Sequence, residues 1–320
     1  MKRRDASAPL TQIGIRKLHK SIGAEVSGVN LAAPLSGESF SVLCDALLKY
    51  KVLVFRSQSL TPEQHVTFAR RFGPLEIHPV EQSEDANPFV TRVTQGQGGF
   101  RQSVAWNSDM TWRARPPMGS VMRVIDGPKS GSIGQFIDME EAYNSLSPAK
   151  KEFACSLQTK HDISQTFVGL TVREALQLKA KFPAQTHPMV RTHPETRNRV
   201  LFINKAYTAS IVGMSPQSSK WLLDWFLDVL HKPEHMMRFQ WTPGTVVLWD
   251  SRVCQYHEAV EDVASNHVME RVSITGDRPF FEPQLANTAM RTDDFKDTLE
   301  FNLAPDLTKL PFMPKASNAA

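Results

Sequence analysis

The chain has 320 residues, 41% of them apolar and 22% charged, with a formal charge of +4. That balance excludes a disordered chain, and no apolar run approaches the ~20 residues of a membrane helix. The basic excess is scattered apart from Lys2, Arg3 and Arg4, so nucleic-acid binding is not expected; a mild positive excess suits a small anionic ligand or simply a solvated surface. Cys44, Cys155 and Cys254 form no Cys-x-x-Cys pair, and the basic start is not followed by an apolar run. A soluble cytoplasmic protein without a disulfide framework or secretory signal is the expectation.

After a flexible start at 1–11, residues 12–35 read as short strands broken by turns. Phe40, Leu43, Leu47 and Leu48 recur at helical spacing and predict a helix over 39–50. Val52, Leu53, Val54 and Phe55 then form a buried strand. Thr61 before Pro62 is a helix start, and Gly73-Pro74 its stop. Residues 87–123 mix short β-like pieces with the glycine-rich Gln95-Gly96-Gln97-Gly98-Gly99, which reads as a long loop. Strands are predicted over 121–125 and 134–137, and one helix over 139–153.

Pro183, Pro188 and Pro194 mark 155–200 as an insertion wrapped over a core. Trp221, Leu222, Trp225, Leu227 and Leu230 predict a helix over 216–230. Thr242-Pro243-Gly244-Thr245 is a turn leading into a strand at 246–249 that ends in Asp250, and a last strand covers 271–275. One domain over 12–310 is expected, with a frayed tail at 311–320.

Four segments carry more specific information: Ile22-Gly23-Ala24-Glu25-Val26-Ser27-Gly28-Val29; Arg70-Arg71-Phe72-Gly73-Pro74-Leu75 with His78-Pro79; Trp106-Asn107-Ser108-Asp109-Met110-Thr111-Trp112; and Trp249-Asp250-Ser251-Arg252 through Gly276-Asp277-Arg278-Pro279-Phe280. In this order and spacing, over about residues 12–281, the chain resembles the TauD/TfdA family of Fe(II)- and 2-oxoglutarate-dependent dioxygenases. The resemblance implies a mainly β fold with peripheral helices, a cupin-like double-stranded β-helix or jelly roll.

Family members hold Fe(II) with a His-x-Asp pair and a distant histidine, and grip the far carboxylate of 2-oxoglutarate with an arginine. Here the resemblance places the metal carboxylate at Asp109 and puts Asn107 where the first histidine belongs. Matching without gaps between Trp249 and Arg271 puts Tyr256 at the distal histidine position and His257 one residue later. One step along a strand reverses a side chain, whereas a bulge would return His257 to the metal, and both arrangements are open. The same register places His267 at the cofactor arginine and Arg271 at a second arginine near the substrate anion, with cofactor binding by Arg271 as the alternative. Ser132 is the hydroxyl that stands in for a cofactor-binding threonine, and His78 matches a position near the substrate. His187, His193, His231 and His235 read as surface residues.

Two functions are compatible with these residues. One is a dioxygenase with an altered iron site that hydroxylates a small acidic substrate. The other is a catalytically inactive family member serving as a binding or partner subunit. A homo-oligomer is compatible with either. The chain lacks a Gly-x-Ser-x-Gly elbow, a phosphate loop and a dinucleotide fingerprint, which sets hydrolase and kinase chemistry aside.

Overall fold

Runs of β-branched and aromatic residues supply the centre of the molecule. In the computed structural model, which describes residues 12–79, 87–94, 101–102, 105–126, 132–163, 167–168, 171–259 and 268–283, the apolar run at 246–249 becomes the strand Val246–Asp250. It lies between Val52–Phe55 and Gly119–Asp126 in an eight-stranded sheet. Gly119–Asp126 pairs in turn with Val268–Ile274, which also takes Leu75–Glu76 and Val90–Thr94. A second, three-stranded sheet places Ile133–Asp138 between Met236–Gln240 and Cys254–Ala259.

The period-two alternation of these strands divides the core into layers. Val54, Met122, Val247 and Trp249 of the large sheet meet Phe136, Met237 and Phe239 of the small one. The opposite face of the large sheet is covered by the helices Gly37–Tyr50 and Pro62–Arg70, through Leu43, Leu47, Val66 and Phe68. Ile137, on the far side of the small sheet, joins Leu222, Phe226 and Leu230 of the helix Pro216–Leu230. Each fully buried side chain of this size contributes roughly 1.5–3 kcal/mol, so the strand Val246–Asp250, buried at every position, is a principal source of stability.

Several expectations need adjusting. Helices and strands take comparable shares among the described residues, so the mainly β expectation becomes a mixed α/β one, and the described strands form separate sheets without a closed barrel. The single helix expected over 139–153 is two, Met139–Asn144 and Pro148–Cys155. Pro148 has no N–H to continue the first, and it occupies the first turn of the second. The 155–200 segment is built of regular elements: Gln158–His161 pairs with Gln185–Pro188 and Thr208–Ile211, while Val190–Thr192 pairs with Arg199–Leu201. Its Met189, Val190 and Val200 are fully buried. The Gln95–Gly99 loop, residues 1–11 and the tail lie outside the described residues.

The chain divides into a unit Met1–Phe281 and a second, Glu282–Ala320, of which residues 282 and 283 are described. Among the described residues no helix is long and apolar enough to cross a membrane.

Candidate functional site

Asp109 is placed by a short segment that crosses the mouth between the two sheets. Its start is tied to the Cys254–Ala259 strand: the Asn107 and Tyr256 backbones exchange hydrogen bonds, 3.2 and 2.9 Å, and Ser108 Oγ donates to the Cys254 carbonyl at 3.0 Å. Met110 then takes φ 46°, a left-handed conformation that costs a side-chain-bearing residue roughly 1–2 kcal/mol. Burial of Met110 and Trp112 with Ile163 holds the segment in that turn.

The turn aims Asp109 into the large sheet, where only 6% of the residue is exposed. Its Oδ2 accepts from Ser120 Oγ at 2.8 Å and more weakly from Ser251 Oγ at 3.5 Å. Its Oδ1 accepts from Arg271 Nη1 at 3.1 Å. Ser120 and Ser273 lie across adjacent strands with their hydroxyls 3.4 Å apart. His78 is 7% exposed, and burial, followed by the nearby Arg271 charge, lowers its pKa to about 3. The imidazole is therefore neutral near pH 7 and adds no positive charge to the site.

The strand Cys254–Ala259 pairs with Ile133–Asp138 in unbroken register from Cys254 opposite Asp138 to Ala259 opposite Ile133. With no bulge, neighbouring side chains take opposite faces. Tyr256 points between the sheets, its ring 5.1 Å from Phe136 and 5.6 Å from Trp249, and its hydroxyl accepts from Trp241 Nε1 at 3.1 Å. Burial raises its phenol pKa, reinforced by the charge of Glu258. His257 stacks on Trp106 at 5.0 Å, and His231 stacks on the same indole at 5.8 Å. Ser132 Oγ donates to the Glu258 carboxylate. Asn107 directs its amide Nδ2 to the Ala105 carbonyl at 3.1 Å. His267 lies outside the described residues.

Structure therefore brings together Asp109, Arg271 and His78, packs Tyr256 on Phe136 and Trp249, pairs Ser132 with Glu258, and turns His257 to the other face. Among the described residues no group of three or more histidines, cysteines or carboxylates could hold a metal ion. A two-histidine, one-carboxylate iron centre does not fit this donor set: the carboxylate is engaged by a guanidinium and a hydroxyl, and the histidine nearest in sequence to the distal position stacks on an indole.

Behind the site, the insertion supplies the support. Thr111 Oγ accepts from Asn204 Nδ2 at 2.9 Å and faces His161 Nδ1 at 2.9 Å, while His161 Nε2 faces Thr159 Oγ at 3.0 Å. His187 Nε2 lies 2.9 and 3.0 Å from the Thr111 and Arg113 carbonyls, which makes it the protonated nitrogen. His193 Nδ1 accepts from the Glu195 and Thr196 amides, so Nε2 donates to Asp250 Oδ2 at 3.0 Å. Asp250 also accepts from Arg252 Nε and Nη2 at 2.9 and 2.6 Å. These contacts correct the surface reading of His187 and His193, each 2% exposed, and of His235, 1% exposed, whose Nδ1 bonds the Val229 carbonyl. His231 is half-buried on Trp106. For His187 and His193 the decisive partners, Thr111 and Asp250, lie far along the chain.

Sequence reasoning also passed over Ser120, Ser251 and Glu258. The Trp249-Asp250-Ser251-Arg252 motif contained a signal for Ser251; nothing local marked Ser120 or the Glu258 contact.

Comparison with known proteins extends the picture. Residues 14–271 match the family described as Taurine catabolism dioxygenase TauD, TfdA family. The chain is 32% identical to an alkylsulfatase of Acinetobacter baylyi, over 84% of this chain and 87% of that protein. It is also 32% identical to an (S)-phenoxypropionate/alpha-ketoglutarate-dioxygenase of Sphingobium herbicidovorans, over 85% and 98% respectively. Among solved structures, a taurine dioxygenase from Burkholderia xenovorans superposes with a TM-score of 0.73 at 30% identity, covering 84% of this chain and 93% of that one. The matched span contains Asn107, Asp109, Tyr256 and Arg271, and the chain belongs to the TauD/TfdA dioxygenase family, as a divergent member without that family's metal-binding cluster among its described residues.

Proposed function

We propose that this chain is a catalytically inactive TauD/TfdA member, of double-stranded β-helix descent, that binds a small oxyanion-bearing molecule as a binding or partner subunit. The observation that carries this reading is the Asp109–Arg271 ion pair at 3.1 Å, because it commits the candidate metal carboxylate to a guanidinium of the same chain. Asn107 supplies only a neutral amide in place of an imidazole, and Tyr256 a phenol whose deprotonation burial opposes. An oxyanion ligand is favoured because Arg271 retains a fork-shaped donor that suits carboxylate or sulfonate groups. The relatives point to the same chemistry, since they include an alkylsulfatase and an (S)-phenoxypropionate dioxygenase.

Anaerobic titration of the purified chain with Fe(II), with and without 2-oxoglutarate, tests the reading. The expected outcome is no stoichiometric iron and no visible charge-transfer band from a chelated ferrous complex. Stoichiometric iron with a 2-oxoglutarate-dependent band would instead establish a working oxygenase centre despite Asn107 and Tyr256.

A further inference from the structure

The helix Pro216–Leu230 buries one face in the core through Leu222, Leu223, Phe226, Val229 and Leu230. At 3.6 residues per turn, the line opposite that face carries Gln217, Trp221, Asp224 and Asp228, all exposed, with exposed Lys220 beside it. Trp221, 36% exposed, is the one aromatic among the large exposed apolar side chains of the described residues. One turn on, half-buried Trp225 has Lys150 of the helix Pro148–Cys155 over its ring at 4.5 Å. Two indoles therefore lie along one side of the outward line. Lys220 and Asp224 lie along the other, 2.6 Å from each other, with side chains 77% and 55% exposed.

This face is complementary to itself in one orientation. A second copy of the helix, running antiparallel about a two-fold axis level with Leu222, sets Lys220 of each copy against Asp224 of the other. Asp228 then falls level with Pro216, so no like charges meet. Parallel packing would instead oppose Lys220 to Lys220 and Asp224 to Asp224. The same two-fold keeps the indole side against the indole side, with the two Trp221 positions about 3 Å apart along the helix axes. We propose that this face is a homodimer contact, closed by a second copy of the chain with its Pro216–Leu230 helix antiparallel. The contact is isologous, the commonest symmetry of soluble oligomers, with tryptophan as its anchor. A helix of 15 residues is about 22 Å long and about 10 Å wide, so its face falls short of the ~800 Å² per partner of a stable complex. The dimer is therefore reversible and follows concentration. The proposal is independent of whether the chain holds iron.

The test is sedimentation equilibrium of the full chain across micromolar concentrations, where the wild type should show a monomer–dimer equilibrium. Trp221→Ala should weaken the dimer by at least about ten-fold, as loss of a central anchor does. Lys220→Asp and Asp224→Lys each place like charges across the axis and should each weaken self-association several-fold. Because all three side chains are exposed, the variants keep the fold, which circular dichroism checks. The decisive sample is an equal mixture of Lys220→Asp with Asp224→Lys. Its two chains carry opposite charges at both positions, so they should form a mixed dimer more tightly than either variant pairs with itself, although the pair within each helix is broken in both. A wild type that stays monomeric, a dimer that Trp221→Ala leaves unchanged, or a mixture no tighter than its components would each overturn the proposal.

Discussion

The segment carrying Asp109 is held at two points by opposite chemistry. At Asp109 the contact is between full charges, supported by serine hydroxyls on the large sheet. Two residues on, Thr111 is held by neutral groups: the Asn204 amide and, from the insertion, the His161 ring. Burial pushes the His161 pKa well down, with neighbouring His187 adding to the effect, so that network stays uncharged. A charged contact can be exchanged for another ion of the same sign. A neutral relay has no such substitute, since removing one member strands its partners. The mouth is thus held by charge and the network behind it by neutral hydrogen bonds.

The sharpest way to break this contrast is at a more deeply buried charge. Asp250 is 1% exposed and receives Arg252 and His193 together. Asp250→Asn should cost about 3–5 kcal/mol, the range for breaking a buried ion pair, read as a drop in the urea midpoint with an unchanged slope. A loss below about 1 kcal/mol would put this charged cluster on the scale of an exposed pair. Next comes Thr111→Val, which keeps the side-chain shape but strands His161 Nδ1 and Asn204 Nδ2. It should cost about 1–3 kcal/mol. Indifference to this change would remove the distinction between charged and neutral holds.

The smallest effect near neutrality is the pH response. Burial lowers the His187 pKa to about 4 and the His78 pKa to about 3, from 6.5. The unfolded histidines bind protons as pH falls through 6.5, and the folded ones do not until well below it. Stability from these groups is therefore complete above pH 6.5 and declines as pH drops toward 4. Urea midpoints at pH 7.5, 6 and 5 should fall in that order. His187→Gln should flatten the decline, and an unchanged slope in that variant would exclude His187 as a source.

Much of the framework was legible because its signals are local. Thr61 caps the expected helix with Pro62 in its first turn, where Gln64 completes a capping box, and the run at 246–249 is a central strand. The two possible placements of Tyr256 and His257 were also visible, because strand period alone sets the alternatives. The helix Val172–Lys181 was missed although Thr171 and Glu174 make the same kind of capping box. Its signal was lost among the prolines of the surrounding segment. The Asp109–Arg271 pair was not legible, since its members are 162 residues apart and each had another role in the family pattern. The same distance problem hid His187 and His193. A histidine reads as exposed until its partner is known, and Thr111 and Asp250 lie 76 and 57 residues away.

The unbroken register of Cys254–Ala259 against Ile133–Asp138 restricts the ways an imidazole could come to face the mouth. His257 is a single residue from the position that would face the mouth, yet sliding the strand by one step would also turn Tyr256 out of its contacts with Phe136 and Trp249 and invert buried Cys254. A lineage regaining imidazole donors is therefore steered toward replacing Tyr256 and Asn107 in place, two separate changes, while His257 remains a bystander on the opposite face. Side-chain parity thus makes the histidine nearest in sequence the one least able to serve as a distal imidazole.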